Sequence, residues 1–286
     1  MIPRRLLGRV PIAIPILGLG VSGPHGTLLV PERTTVRLVH QAIEAGAGLF
    51  DTAPFYGHAQ ARLGRALKGV PRDDYTAMSK VGTVRDSGGL AKDFSSAGIR
   101  AALERSLVEL GIDMLDVVFV HGPPHEGLAD ASLETLARAR TAGLVRALGV
   151  SGRGPEIDAC LRTGLFDVVQ APLDDVSWDA RAAACGAGFI GIEVLRASTD
   201  AWRVPVSGAD LWYMARTAHV RGPAALMRRG GDEVEARAVL ARALRRPGVT
   251  GVVIATTRPR HLAQLLETAA SIPSAPSLVG AARQTV

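Results

Sequence analysis

Short apolar runs alternate with longer stretches of helical period along almost the whole chain. The runs cover 16–19, 48–51, 75–79, 114–120, 145–150, 167–170, 188–195 and 249–254, and they predict eight strands. Amphipathic segments follow each in turn, predicting helices near 32–46, 58–68, 95–110, 131–142, 154–164, 176–185, 207–218 and 258–269. An extra helix is expected near 232–245. The clearest reads "DFSSAGIRAALERSLVELG": Ser95 or Ser96 can cap it, Ile99, Leu103, Leu107 and Leu110 form its apolar stripe, and Gly111 ends it.

Strands apolar on both faces, alternating with helices, imply a parallel sheet covered by helices. Eight such units predict closure into a single-domain (β/α)8 TIM barrel spanning 1–286. An open doubly wound sheet is the rival, because Gly18, Gly20 and Gly23 in "GLGVSG" have dinucleotide-fingerprint spacing. That fingerprint opens a helix directly, whereas here the helix begins only after Pro31. The stretch 196–231 is punctuated by Pro and Gly and holds Trp202, Trp212 and Tyr213, so it reads as a long functional loop region near the active-site rim, with a short helix.

Composition refines this picture. Of 286 residues 47% are hydrophobic but only 4% aromatic, so the core is aliphatic. The formal charge of +6 comes from scattered arginines with no basic block, which argues against nucleic-acid binding while suiting a phosphate-bearing ligand. Cys160 and Cys185 form no CxxC and no metal-ligand cluster, so no metal is expected and a reducing, cytoplasmic setting fits. The N-terminal "MIPRRLLGRVPIAIPILGLGVSG" is broken by Arg9 and three prolines and is not read as a signal peptide. No run is long enough to predict a membrane span. Nothing in the sequence marks an oligomeric state.

In a barrel of this kind chemistry gathers at the C-terminal strand ends. The second predicted strand delivers Asp51, with Tyr56 in the loop beyond; the third ends at Lys80, the fourth at His121, the fifth at Ser151 and the sixth at Gln170. A free phenol titrates near pH 10, too high for efficient proton transfer near neutrality. A neighbouring ammonium favours the phenolate, and a carboxylate keeps that ammonium charged and in place. An imidazole beside them can orient a carbonyl oxygen, and a phenol so tuned can protonate a developing alkoxide. Taken singly, Asp51 also suits a turn cap, Lys80 a solvated charge, His121 an interior histidine and Tyr56 rim packing; all four fall at predicted strand ends.

"FDTAPFYGHAQARLGRAL", "SLVELGIDMLDVVFVH", "VRALGVSG" and "VVQAPLDD" together resemble the aldo-keto reductase superfamily, over about residues 5–270. The resemblance implies a (β/α)8 barrel that reduces aldehydes or ketones, or oxidises alcohols or sugars, with a nicotinamide cofactor. By it Tyr56 is the general acid/base, Lys80 lowers its pKa, Asp51 pairs with Lys80 and His121 orients the substrate carbonyl. It also implies that Ser151 and Gln170 hold the nicotinamide carboxamide and that Gly20 and Val21 lie near its ribose. In "VVIATTRPRHLAQLL", Thr256, Thr257 and Arg258 at a helix N-terminus are implied contacts of a 2′-phosphate, which favours NADP(H) over NAD(H).

The sequence departs from the family pattern at several places. Gly152 replaces the usual Asn, Gln60 replaces a common Glu, Ala255 a common Lys, and His261 stands where an arginine commonly binds the 2′-phosphate. Phe55, His58, Pro123, His125, Trp202 and Trp212 are pocket candidates by position. Two other readings remain from the sequence: a non-catalytic NADP(H)-binding scaffold of the same fold, and an unrelated barrel enzyme with a Schiff-base Lys80.

Overall fold

A computed structural model describes residues 1–86, 89–173, 177–195, 207–222, 224 and 233–273. Eight parallel strands close into a barrel in the order β3 (Leu17–Gly20), β4 (Leu49–Asp51), β5 (Thr76–Val81), β8 (Leu115–His121), β9 (Val145–Ser151), β10 (Val168–Pro172), β11 (Gly188–Ile192) and β12 (Gly251–Ile254), which pairs back onto β3. The expected (β/α)8 barrel is therefore the fold. Around it lie α1 (Glu32–Glu44), α2 (Ala59–Leu67), α3 (Ser96–Leu110), α4 (Asp130–Thr141), α5 (Pro155–Arg162), α6 (Trp178–Ala184), α7 (Gly208–Arg221), α8 (Glu233–Arg245) and α9 (Pro259–Ala270). Helix α1 packs on α2, α2 on α3 and α3 on α4, and α9 touches both α8 and α1. Helix α3 is capped as its sequence implies: Ser95 Oγ accepts the Gly98 N–H at 3.0 Å, and Gly111 ends it with φ +67°.

Strand side chains alternate between faces, and this period of two builds both the core and the site. Phe50, Ala77, Val118, Val120, Leu148, Val150 and Val169 face outward into the layer shared with the helices. Leu49, Met78, Val117, Phe119, Ala147 and Val168 face inward and fill the barrel. Two residues beyond Leu49, Met78, Phe119 and Val168 the inward positions are Asp51, Lys80, His121 and Gln170, and four beyond Ala147 comes Ser151. The polar rim is thus the next layer above an apolar plug, each residue aimed by the same parity as the inward residues before it on its strand.

A hairpin of β1 (Arg4–Leu6) and β2 (Ala13–Pro15) closes the other end, sending Leu7, Ile12 and Ile14 into the interior cluster. Arg5 ties it to the carbonyls of Leu244 and Val249 at 2.9 and 2.7 Å. The sequence pattern did not predict this hairpin, nor a second of β6 (Thr83–Asp86) and β7 (Gly89–Lys92) after β5. One helix assignment is corrected. The segment near 232–245 is α8, packed on β12 and α9 as part of the helical ring, and the additional helix is α7. Helix α7 lies within the expected loop region 196–231 and crosses to the 3-10 turn at Gly23–Gly26. Trp202 and the rest of that region, apart from 207–222 and 224, lie outside the described residues.

Candidate active site

Register sets the rim. Gly20 pairs with Asp51 across β3 and β4, His121 with Ser151 across β8 and β9, and Ser151 with Gln170 across β9 and β10. Lys80 of β5 is 2% exposed and donates to both oxygens of Asp51, at 2.7 and 2.6 Å, and to the Thr52 carbonyl at 3.2 Å. Gln170 donates to Asp51 Oδ1 at 2.9 Å, and Ser151 donates to Gln170 Oε1 at 2.9 Å. The chain of contacts therefore runs Ser151, Gln170, Asp51, Lys80 and on to Tyr56, whose ring centre lies 5.2 Å from the ammonium.

Tyr56 is held by backbone packing. Gly26 comes so close that a Cβ there would lie 1.8 Å from the Tyr56 carbonyl oxygen, and Gly57 turns at φ +64° with its own Cβ position 2.5 Å from Gly26 O. The β3–α1 loop that makes this approach is pinned from below by buried Arg62, which donates to the carbonyls of His25, Thr27 and Val30 at 2.7, 3.0 and 2.9 Å. Phe55 is buried; its ring packs edge-on to Tyr56 and stacks on His121 at 4.9 Å.

The electrostatics of the cluster are uneven. Burial opposes the Lys80 charge, but Asp51 and Tyr56 outweigh it and keep its pKa above the usual lysine value. Lys80 does pull the Tyr56 pKa down, but the net direction differs from the lowered pKa expected. Burial is the largest influence and raises it, Lys80 acts against that, Asp51 adds to it, and the net direction is upward. Lys80 pulls the phenol pKa down more strongly than Asp51 pushes it up, and burial prevails over that pull. His121 is pushed down to about 3 by burial first and then by Lys80, Lys92 and Arg153, so its ring is neutral at ordinary pH.

The remaining sequence candidates divide. Gly20 faces the mouth, where a Cβ would meet Val253 Cγ1 at 3.2 Å. Val21 is buried with both backbone polar groups in use: its N–H donates to Asp51 O at 2.8 Å and its carbonyl accepts from Thr52 Oγ1 at 3.0 Å. Thr256 accepts the Arg258 N–H at 3.2 Å and lies 3.2 Å from His261 Nδ1, so these residues and half-buried Thr257 cluster at the N-terminus of α9. The Arg258 guanidinium is engaged by Asp210 of α7 at 2.6 Å. Among the pocket candidates, Phe55 lies against Tyr56 and His121, whereas His58 and His125 are exposed and Trp212 covers Gly23. At Gly152 a Cβ would fall 2.6 Å from Glu156 Oε1, which instead accepts the N–H groups of Arg153 and Gly154 at 2.7 and 2.9 Å.

Three contributors escaped sequence reasoning. The Thr52 carbonyl receives Lys80, while Thr83 and Lys92, paired across the β6–β7 hairpin, both reach His121. The signal was present in "TVRDSGGLAK", two short runs around a Gly-rich break.

The residues present suit a nicotinamide dinucleotide. An amide carries two donor hydrogens and an acceptor oxygen with two lone pairs. Gln170 spends one hydrogen on Asp51 and one lone pair on Ser151, leaving one of each for a carboxamide. Ser151, whose hydrogen is committed, is left to accept.

The aldo/keto reductase family model matches residues 16–170. The chain is 38% identical over 141 residues to an aldo-keto reductase from Mycobacterium avium, covering 48% of this chain and 44% of that one. It is 31% identical over 157 residues to the L-galactose dehydrogenase of Arabidopsis thaliana, covering 52% and 48%. The matched part thus spans about half the length of these relatives. A crystal structure from Pseudomonas aeruginosa assigned to the aldo-keto reductases superposes with TM-score 0.71 at 27% identity, covering 93% of this chain and 94% of that one.

Proposed function

Because this chain belongs to the aldo/keto reductase family, we propose that it is a nicotinamide-dependent oxidoreductase that reduces a small aldehyde or ketone, or oxidises the corresponding alcohol or sugar. The observation that carries this reading is the buried Lys80 ammonium, gripped by both oxygens of Asp51 and 5.2 Å from the ring centre of Tyr56. When bound, the nicotinamide supplies or takes up the hydride. Ser151 and Gln170 hold its carboxamide, Gly20 leaves room beside it, and the α9 N-terminus with Thr256, Thr257 and His261 receives the adenosine phosphate.

Tyr56 gives its proton to the substrate oxygen as negative charge develops there. Lys80 faces the resulting phenolate and stabilises it, with Asp51 holding the ammonium in register. His121, neutral, donates a hydrogen bond to the same oxygen and orients the carbonyl. The raised pKa of Tyr56 keeps it protonated at neutral pH, which suits the reducing direction. Arg258 is shared with Asp210, so the NADP(H) preference rests on Thr256, Thr257 and His261 together with whatever part of the guanidinium the phosphate draws away.

The test is a set of initial rates with NADPH and NADH across aldoses, aromatic aldehydes and small ketones, the aldoses chosen for the kinship to L-galactose dehydrogenase. Consumption of reduced cofactor with one or more carbonyls is expected, faster with NADPH. Tight cofactor binding without turnover on any carbonyl overturns the reading in favour of a scaffold.

A further inference from the structure

The His121 ring meets two groups whose roles follow from their distances. An ammonium has hydrogens to give and no lone pair to receive with. Lys92 Nζ therefore donates to Thr83 Oγ1 at 2.9 Å and to the His121 carbonyl oxygen at 2.6 Å. The single hydroxyl hydrogen of Thr83 then has two acceptors within reach, His121 Nδ1 at 2.9 Å and His121 O at 3.3 Å. The carbonyl lies beyond the usual O–H···O range and already receives Lys92. The hydrogen goes to Nδ1.

A ring that accepts at Nδ1 is uncharged and carries its proton on Nε2. Burial and the flanking Lys80, Lys92 and Arg153 favour that uncharged ring independently. Phe55, stacked at 4.9 Å with 22° between the planes, fixes the plane of the imidazole. Nε2 has no protein hydrogen-bond partner among the described residues.

We infer that Lys92 and Thr83 are positioning residues that lock His121 in the Nε2–H tautomer, so that it presents a donor to the substrate carbonyl oxygen. The role given to the Nε2–H rests on the redox reading above. Lys92 orients the threonine hydroxyl by filling one of its lone pairs. Without the lock the ring also samples the opposite tautomer, which turns a lone pair toward the carbonyl oxygen and repels it.

The experiment uses the full chain with 15N-labelled histidine, the His121 ring signals being assigned by their loss in His121→Gln. Wild type is expected to show Nδ1 unprotonated and Nε2 protonated. Thr83→Val, which removes the hydroxyl at nearly constant volume, is expected to yield a tautomer mixture. Its kcat/KM for carbonyl reduction falls about tenfold, within the range for losing a histidine-orienting partner, while its affinity for NADPH stays within about twofold. Thr83→Ser restores both the spectrum and the rate. A wild-type ring protonated at Nδ1, or a Thr83→Val ring whose tautomer is unchanged, overturns the lock. A wild-type ring protonated at Nε2 that becomes mixed in Thr83→Val, in a chain that turns over no carbonyl, upholds the lock and sinks the redox reading instead.

Discussion

The two ends of the barrel use buried aspartates in opposite ways. At the N-terminal end, Asp116 accepts from Arg72 at 2.7 Å, Arg146 at 3.0 Å and the Ala77 N–H at 2.8 Å. Asp167 accepts from Arg9 at 3.3 Å, Arg140 at 3.1 Å and the Leu148 N–H at 3.1 Å. All four arginine side chains remain 36–45% exposed. Each pair therefore keeps much of its hydration, and the guanidinium stays charged. At the C-terminal end, Asp51 faces Lys80, and both are almost fully withdrawn from water. Burying both charges costs desolvation that the pairing need not recover, so this arrangement is poor evidence of a stabilising role. The difference matches the division of labour in such barrels, with one face staples for the fold and the other a site for chemistry.

Three experiments sharpen or break this contrast. The largest effect is expected from Tyr56→Phe, which removes only the phenol oxygen. Turnover should fall about a thousandfold, as for loss of a positioned proton donor, with NADPH affinity by fluorescence titration unchanged. A variant that keeps most of its rate breaks the assignment of the C-terminal end.

Next is Asp116→Ala at the opposite end. It strands the Ala77 N–H and removes charge-assisted bonds, so urea denaturation should show a loss of about 3 kcal/mol. The rate per folded molecule should not change; a matching fall in kcat would mean that the two ends are not separable.

The smallest effect is the pH response of carbonyl reduction by wild type. His121 loses its proton near pH 3 and Tyr56 holds its proton beyond the ordinary phenol range. The forms that the proposed mechanism uses, neutral imidazole and protonated phenol, therefore coexist across neutrality. The kcat/KM profile should be flat from about pH 5 to 9 and fall only as pH rises through the raised phenol pKa. A break near pH 6 to 7, the range of an unperturbed histidine, would place a charged imidazole in the cycle.

Much of this architecture was legible in the chain. Eight apolar runs separated by amphipathic segments allow little besides a parallel sheet wrapped by helices, because neither face of such strands tolerates water. Period-two alternation carries the inward face from Leu49 to Asp51, from Met78 to Lys80 and from Phe119 to His121, so the rim residues could be named before any coordinates. The hairpins were harder to read. Runs of three or four residues carry too little periodicity, and they are held by contacts with distant segments, as Arg5 holds the first by reaching β12's approach at Val249.

What the sequence determined by itself, then, is the eight barrel strands, the cap of α3 and the identity of the inward polar residues, since these depend on neighbours within a few positions. The tertiary structure alone decided the balance of fields on Tyr56, the capture of Arg258 by Asp210 and the approach of Lys92 and Thr83 to His121. Hydrogen bonds and desolvation depend on distances of a few ångströms between groups far apart in the chain, 48 residues for Asp210 and Arg258, and no local pattern encodes such distances.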